Sequence, residues 1–139
     1  FQRMKLYQMA GLPDEKLTDI DELIRFSREL ARLVPLCLAI SPFVAKRNTP
    51  LDGAAFEVIP SLEAKLARLR AGLKGVVEVR PASVRWAWVE YMLSQGGEEA
   101  GLAAMDAWRA GGSFTAWKRA FKRRGAKPFA KCSHGAGSR

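Results

Sequence analysis

Few residues in this sequence are of the types that carry covalent or metal chemistry. There are two cysteines, Cys37 and Cys132, and a single histidine, His134. Cys37 sits inside an apolar run and reads as a small core residue. Cys132 and His134 lie together in a Gly/Ser-rich end and read as a solvated thiol and an inert imidazole. Three such groups cannot complete a four-ligand zinc site, and two distant cysteines do not make a disulfide framework. No carboxylate pair is spaced for acid–base work, and no nucleophile has a base beside it. The sequence therefore assigns no catalytic residue and no metal ligand. What remains is binding chemistry at two turn-like stretches. Gly11-Leu-Pro-Asp-Glu offers a glycine where a backbone can approach a ligand closely. Ser41-Pro-Phe-Val-Ala-Lys-Arg-Asn-Thr-Pro places Lys46 and Arg47 in a polar, proline-bounded loop, where they suit an anionic partner or plain solvent.

These stretches follow segments that read as strands. Lys5–Ala10 favours a strand, broken by Gly11 and Pro13. Thr18 is expected to cap a helix whose acidic start (Asp19, Asp21, Glu22) suits the positive helix end. Ile20, Leu23, Ile24, Leu30, Ala31 and Val34 keep the helical period, and Pro35 stops it. Leu36–Ile40 is short and continuously apolar, as in a strand of a parallel sheet. Residues 5–43 thus read strand, helix, strand, the size of one βαβ unit. Ligands in such units sit beyond the carboxyl ends of the strands, where both turn stretches fall.

The remainder reads as mostly helical. Pro60 and Ser61 open a helix with the stripe Leu62, Leu66, Leu69, Leu73. Val76–Val79 is a candidate third strand. Helices are expected over 84–94 and 101–109. A last helix is capped by Ser113 and carries Phe114, Trp117 and Phe121 on one face. Trp86, Trp88, Trp108 and Trp117 are expected in the core, and Glu98-Glu99 at a helix start. The net charge of +9 is concentrated at one end. Eight of the 23 Lys and Arg, and none of the 14 acids, fall in residues 118–139. No apolar run approaches the roughly 20 residues of a membrane span, and cysteine usage points to the cytoplasm.

One βαβ unit leaves two exposed sheet edges, an aggregation hazard. More strands are therefore expected before Phe1, with this chain a piece of a longer protein.

The motifs also resemble a known family. Met4-Lys-Leu-Tyr-Gln-Met-Ala-Gly-Leu-Pro-Asp-Glu is similar to the fifth-strand segment of radical S-adenosylmethionine (SAM) enzymes. Leu38-Ala-Ile-Ser-Pro-Phe-Val-Ala-Lys-Arg-Asn-Thr-Pro is similar to the sixth-strand segment, closest to the cobalamin-binding-domain-containing subgroup. Ser41, Pro42, Phe43, Val44, Lys46, Thr49 and Pro50 match; Ala45, Arg47 and Asn48 depart. Residues 83–121 resemble the helical segment that follows the barrel.

The resemblance implies an α/β fold: the C-terminal part of a partial (β/α)6 barrel, one βαβ unit at residues 1–53. A helical extension over 54–125 and a disordered basic tail over 126–139 follow. It implies a parent enzyme that uses a [4Fe-4S] cluster to cleave SAM to a 5′-deoxyadenosyl radical, with room for cobalamin on a separate domain. The cluster needs three thiolates on a Cys-x3-Cys-x2-Cys loop. This sequence has no such loop, so the chain by itself is expected to be inactive, its partner being the N-terminal remainder of the barrel. By position, the resemblance gives Gly11, Leu12, Leu38 and Ile40 to the adenine side of SAM. Leu38 and Ile40 are equally the core of any βαβ unit. Lys46 and Arg47 would face an anionic substrate or SAM's carboxylate, the substrate itself, small molecule or RNA, staying open. Two alternatives stand beside this: a non-enzymatic helical module that binds RNA or another polyanion through 118–139, and an interaction domain that docks through its open sheet edge.

Overall fold

The computed structural model describes residues 2–128. It is α/β, with a three-stranded parallel sheet and five helices. Their order is β1 (Met4–Ala10), α1 (Leu17–Ala31), β2 (Leu36–Pro42), α2 (Ile59–Leu73), β3 (Glu78–Pro81), α3 (Val84–Gln95), α4 (Glu98–Arg109) and α5 (Phe114–Arg124). The chain forms two compact units. One comprises the residues up to Val44 together with Ala55–Trp88. The other comprises Ala45–Ala54 and the described residues from Val89 to Pro128.

The first unit is the sheet with α1 and α2. Its strands lie in sequence order, β1-β2-β3, all parallel. The sequence leads one to expect a single βαβ unit; β3 joins the same sheet, so there are two. Val76-Val77 had been expected to begin that strand, but it starts at Glu78. The amides of Val76 and Val77 both donate to the Leu73 carbonyl, 3.0 Å away, closing the end of α2. Val77 meanwhile buries its side chain in the core.

Alternation along each strand sorts the residues onto two faces. Leu6, Ala10, Leu36, Leu38, Ile40, Val77 and Val79 point to the helices. There they meet Ile20, Leu23 and Ile24 of α1 and the whole expected stripe of α2, Leu62, Leu66, Leu69 and Leu73. The two helices approach closely at Gly72, where an added Cβ would stand 2.7 Å from Ile24 Cδ1. Arg28 of α1 donates to the Gly72 carbonyl at 2.6 Å. Thr18 is not the cap of α1. The cap lies two residues earlier, at Lys16, whose amide donates to Asp19 Oδ2 at 2.7 Å. A carboxylate three residues into the helix thus reaches back to the amide of the capping position, one half of a capping box.

The second unit contains α4 and α5, packed as a hairpin. Small residues on α4, Ala100, Ala103 and Ala107, meet Ala116, Ala120 and Phe121 on α5 as its buried surface. Ser113 caps α5 as expected, its Oγ accepting from the Ala116 amide at 3.2 Å. Glu98 and Glu99 do occupy the first turn of α4, which begins three residues before the expected Gly101. Two tryptophans depart from the core expected for them: Trp86 is half exposed and Trp108 is 78% exposed. On α4 the alanines face inward, which turns Trp108 to the opposite side. Among the described residues no helix is long and apolar enough to cross a membrane.

Candidate functional site

The carboxyl half of the sheet face turned away from α1 and α2 is open, while Cys37, nearer the amino end of β2, is buried as expected; the shape of the face follows from the register. Tyr7, Ala39 and Arg80 are aligned in one row across the three strands; Lys5, Cys37 and Glu78 form the row before it, and Met9 and Ser41 the row after. The middle strand is therefore small-sided, Ala39 then Ser41, between Tyr7 and Met9 on one flank and Arg80 on the other. Neighbouring strands lie about 4.8 Å apart, so the flanks stand roughly 10 Å from each other. The result is a gutter over the carboxyl half of β2, with a volume of about 420 Å³. Tyr7 is 73% exposed and Met9 49%, unusual for large apolar groups in a parallel sheet, whose two faces are normally covered.

Charge on this face is mostly positive. Glu78 accepts from Arg80 Nε at 2.5 Å and pairs with Arg3 on its other side. The Lys5 ammonium lies 4.8 Å from the centre of the Tyr7 ring, a cation–π arrangement. Among the described residues Arg80 donates through Nε, to Glu78, and its side chain lines the gutter.

The residues expected to bind are placed as follows. Gly11 is buried in a left-handed conformation, φ +86°. An added Cβ would sit 2.8 Å from Leu62 Cδ2. Leu12 beside it is on the surface. Leu38 and Ile40 are buried on the helix side of β2, so their side chains face away from the gutter; Ile40 reaches it only along the strand. Lys46 and Arg47 belong to the second unit. Lys46 pairs there with Glu90 and donates to Ser94 Oγ at 3.1 Å. Arg47 is exposed. The loop that carries them is ordered by its own polar groups. Thr49 Oγ1 donates to the Lys46 carbonyl at 2.7 Å, and Asn48, at φ +62°, donates its amide to Asp52 Oδ2 at 3.0 Å. Cys132 and His134 lie outside the described residues.

Reading by residue type misses the gutter, because none of Tyr7, Met9, Ala39, Ser41 and Arg80 belongs to a catalytic motif. Strand parity carries the signal: the odd positions of β1 and β2 share the face opposite Leu6, Leu38 and Ile40.

It also misses a buried ionic cluster beside Gly11. Lys65 lies on the apolar side of α2, three residues after Leu62, and is 5% exposed. Its ammonium donates to Glu15 Oε1 and Glu57 Oε2, each at 2.8 Å. Glu15 Oε1 also accepts from the Gly11 amide at 2.9 Å, and Ser61 Oγ donates to Glu57. Burial pushes the Lys65 ammonium down, but the two carboxylates outweigh it and leave it raised. With every charge partnered, the cluster pins the turn after β1 to α2. The sign in the sequence is a lysine in the middle of a leucine stripe.

In the second unit Asp106 of α4 is nearly buried between two guanidiniums of α5, Arg124 Nε at 2.5 Å and Arg123 at 2.6 Å. The hydrogen bonds from Arg124 and then Arg123 hold its carboxyl far below the usual range against the opposing effect of burial. Two of the basic residues of the last helix are thus committed to holding the hairpin together. Lys118, Arg119 and Lys122 stay on its exposed side.

Among the described residues no set of three or more His, Cys, Asp or Glu is arranged to hold a metal ion. The two cysteines of the sequence are one short of the three thiolates of a SAM-cleaving cluster, so these residues do not fit that group. Comparison with protein-family models, with curated proteins and with solved structures gives no match.

Proposed function

We propose that this chain supplies the closing strands of a radical-SAM barrel whose cluster-bearing strands lie elsewhere in the parent protein. One observation carries the reading. Three parallel strands stand in sequence order with helices on one face only, while the other face and the free edge of β1 are open to solvent. That is the form of a wall segment of a β/α barrel, whose helices ring the outside and whose inner face is covered by the remaining strands. On this reading β1 and β2 take the fifth and sixth positions, and β3 extends the wall by one strand.

Within the barrel, the turn at Gly11 and Leu12 and the end of β2 form part of the rim toward SAM. The Lys65 cluster fixes that turn. Leu38 and Ile40 act there through the strand they hold in place, their side chains being packed in the core. The substrate-facing role that the resemblance gives Lys46 and Arg47 has no support from their surroundings, Lys46 being paired with Glu90 within the second unit. SAM, if bound, would supply the radical chemistry; this chain's residues do not fit its cluster, so no step is assigned to them.

The test is the reading frame upstream of Phe1. The proposal expects a Cys-x3-Cys-x2-Cys motif roughly 100 to 150 residues before it, from the length of barrel units. A frame that starts at this chain, with no such motif, removes the proposal.

The polyanion-binding alternative rests on the exposed Lys118, Arg119 and Lys122. It is weakened by Asp106, which takes Arg123 and Arg124. Binding to duplex DNA or RNA at about 50 mM salt, with affinity falling steeply as salt rises, is the result that would favour it.

A further inference from the structure

The gutter over β2 combines features that select a ligand by chemistry. Its floor is small (Ala39, Ser41), one flank is apolar (Tyr7, Met9), and the other ends in a guanidinium, Arg80. Arg3, Lys5 and Arg80 share this face with one acid, Glu78, which Arg3 and Arg80 already neutralise. A cation would find no free carboxylate. An anion would find the Arg80 guanidinium, a planar fork that suits a two-pronged hydrogen bond to a carboxylate or phosphate.

We propose that this gutter recognises a small molecule with a flat apolar body and one anionic group, carboxylate or phosphate. The body lies over Ala39 and Ser41 against Tyr7 and Met9, and the anion sits on Arg80. The proposal deepens the barrel reading and rests on it for the setting, since the same face would look into the barrel; the geometry belongs to this chain alone. The anion has two candidate sources, the carboxylate of SAM or an acidic group on the substrate.

Amide chemical shifts of the 139-residue protein, titrated with phenylacetate, phenyl phosphate, SAM and the neutral phenylacetamide, test it. The expected result is saturable shifts at Ala39, Ser41 and Arg80 with the anions and none with phenylacetamide. Arg80→Gln should weaken binding roughly tenfold, the loss of one charge-assisted contact. Ala39→Leu should block it by filling the floor, and the charge-matched control Lys118→Gln should leave it unchanged. Shifts with SAM but not the aryl anions assign the anion to the cofactor; shifts with the aryl anions assign it to the substrate. Both uphold an anion site. Equal binding of phenylacetamide, binding indifferent to Arg80→Gln, equal weakening by Lys118→Gln, or no shift at the gutter overturns it. None of these outcomes bears on the upstream cysteine motif, so this site and the barrel reading can fail separately.

Discussion

Lys65 shows how one residue can outweigh its surroundings. A lone ammonium at this depth would be driven neutral, yet two carboxylates keep it charged. Replacing it by Met leaves Glu15 and Glu57 facing each other without their cation. Lys65→Met is expected to cost about 3 kcal/mol in chemical denaturation. Adding Glu15→Gln should restore part of that loss. The pH dependence has a definite sign. The ammonium is raised in the folded state, so its contribution is complete below about pH 10 and fades as pH climbs through the folded value. Wild type should show that alkaline decline, and Lys65→Met should lack it. By contrast, breaking the exposed Asp21–Arg68 pair should leave the denaturation midpoint almost unchanged, because solvent screens it. Gly11 was legible as a turn glycine. That it must also admit Leu62 was not, because the neighbour is 51 residues away and only the fold brings it close. Lys46 was legible as a loop cation and the helix of Glu90 was legible too, read over 84–94 and found at Val84–Gln95, but their pairing joins residues 44 apart that only the fold brings together.

At the scale of elements, the apolar period was the reliable guide. The stripe of α2 is buried as read, and Leu69→Ala, with no exposed surface in the native state, should lower stability by about 3 kcal/mol. The second parallel strand was visible as an uninterrupted apolar run. The third was displaced by two residues because helix-closing hydrogen bonds at Leu73 compete with strand formation, a contest that composition does not reveal. Trp108 was misplaced for a related reason. A helix lined with alanines buries its small side, and bulk alone does not decide which side faces in. The α4–α5 hairpin also depends on pH. Asp106 is depressed on folding, so its contribution is present above about pH 4 and is lost as pH falls toward the folded value. Asp106→Asn should therefore lower the thermal midpoint at pH 7 and flatten its decline between about pH 4 and pH 2, as followed by circular dichroism.

At the scale of the whole molecule, the sheet is covered on one side only. Tyr7 and Met9 lie exposed beside an unpaired β1 edge, where a parallel sheet would ordinarily be buried. The βαβ character was legible from apolar runs and turn residues. The open face was not, since it depends on which parity of each strand meets the helices and on how three strands align. Amide hydrogen exchange should find β2, flanked on both sides, far better protected than the β1 edge. We propose that such a wall belongs to a larger SAM-cleaving barrel. Its most direct test is anaerobic isolation of the native polypeptide that carries residues 1–139, with its length, iron and acid-labile sulfide determined together. A longer chain with about four irons and four sulfides per polypeptide is the expected result; a native 139-residue polypeptide free of iron would overturn the barrel reading.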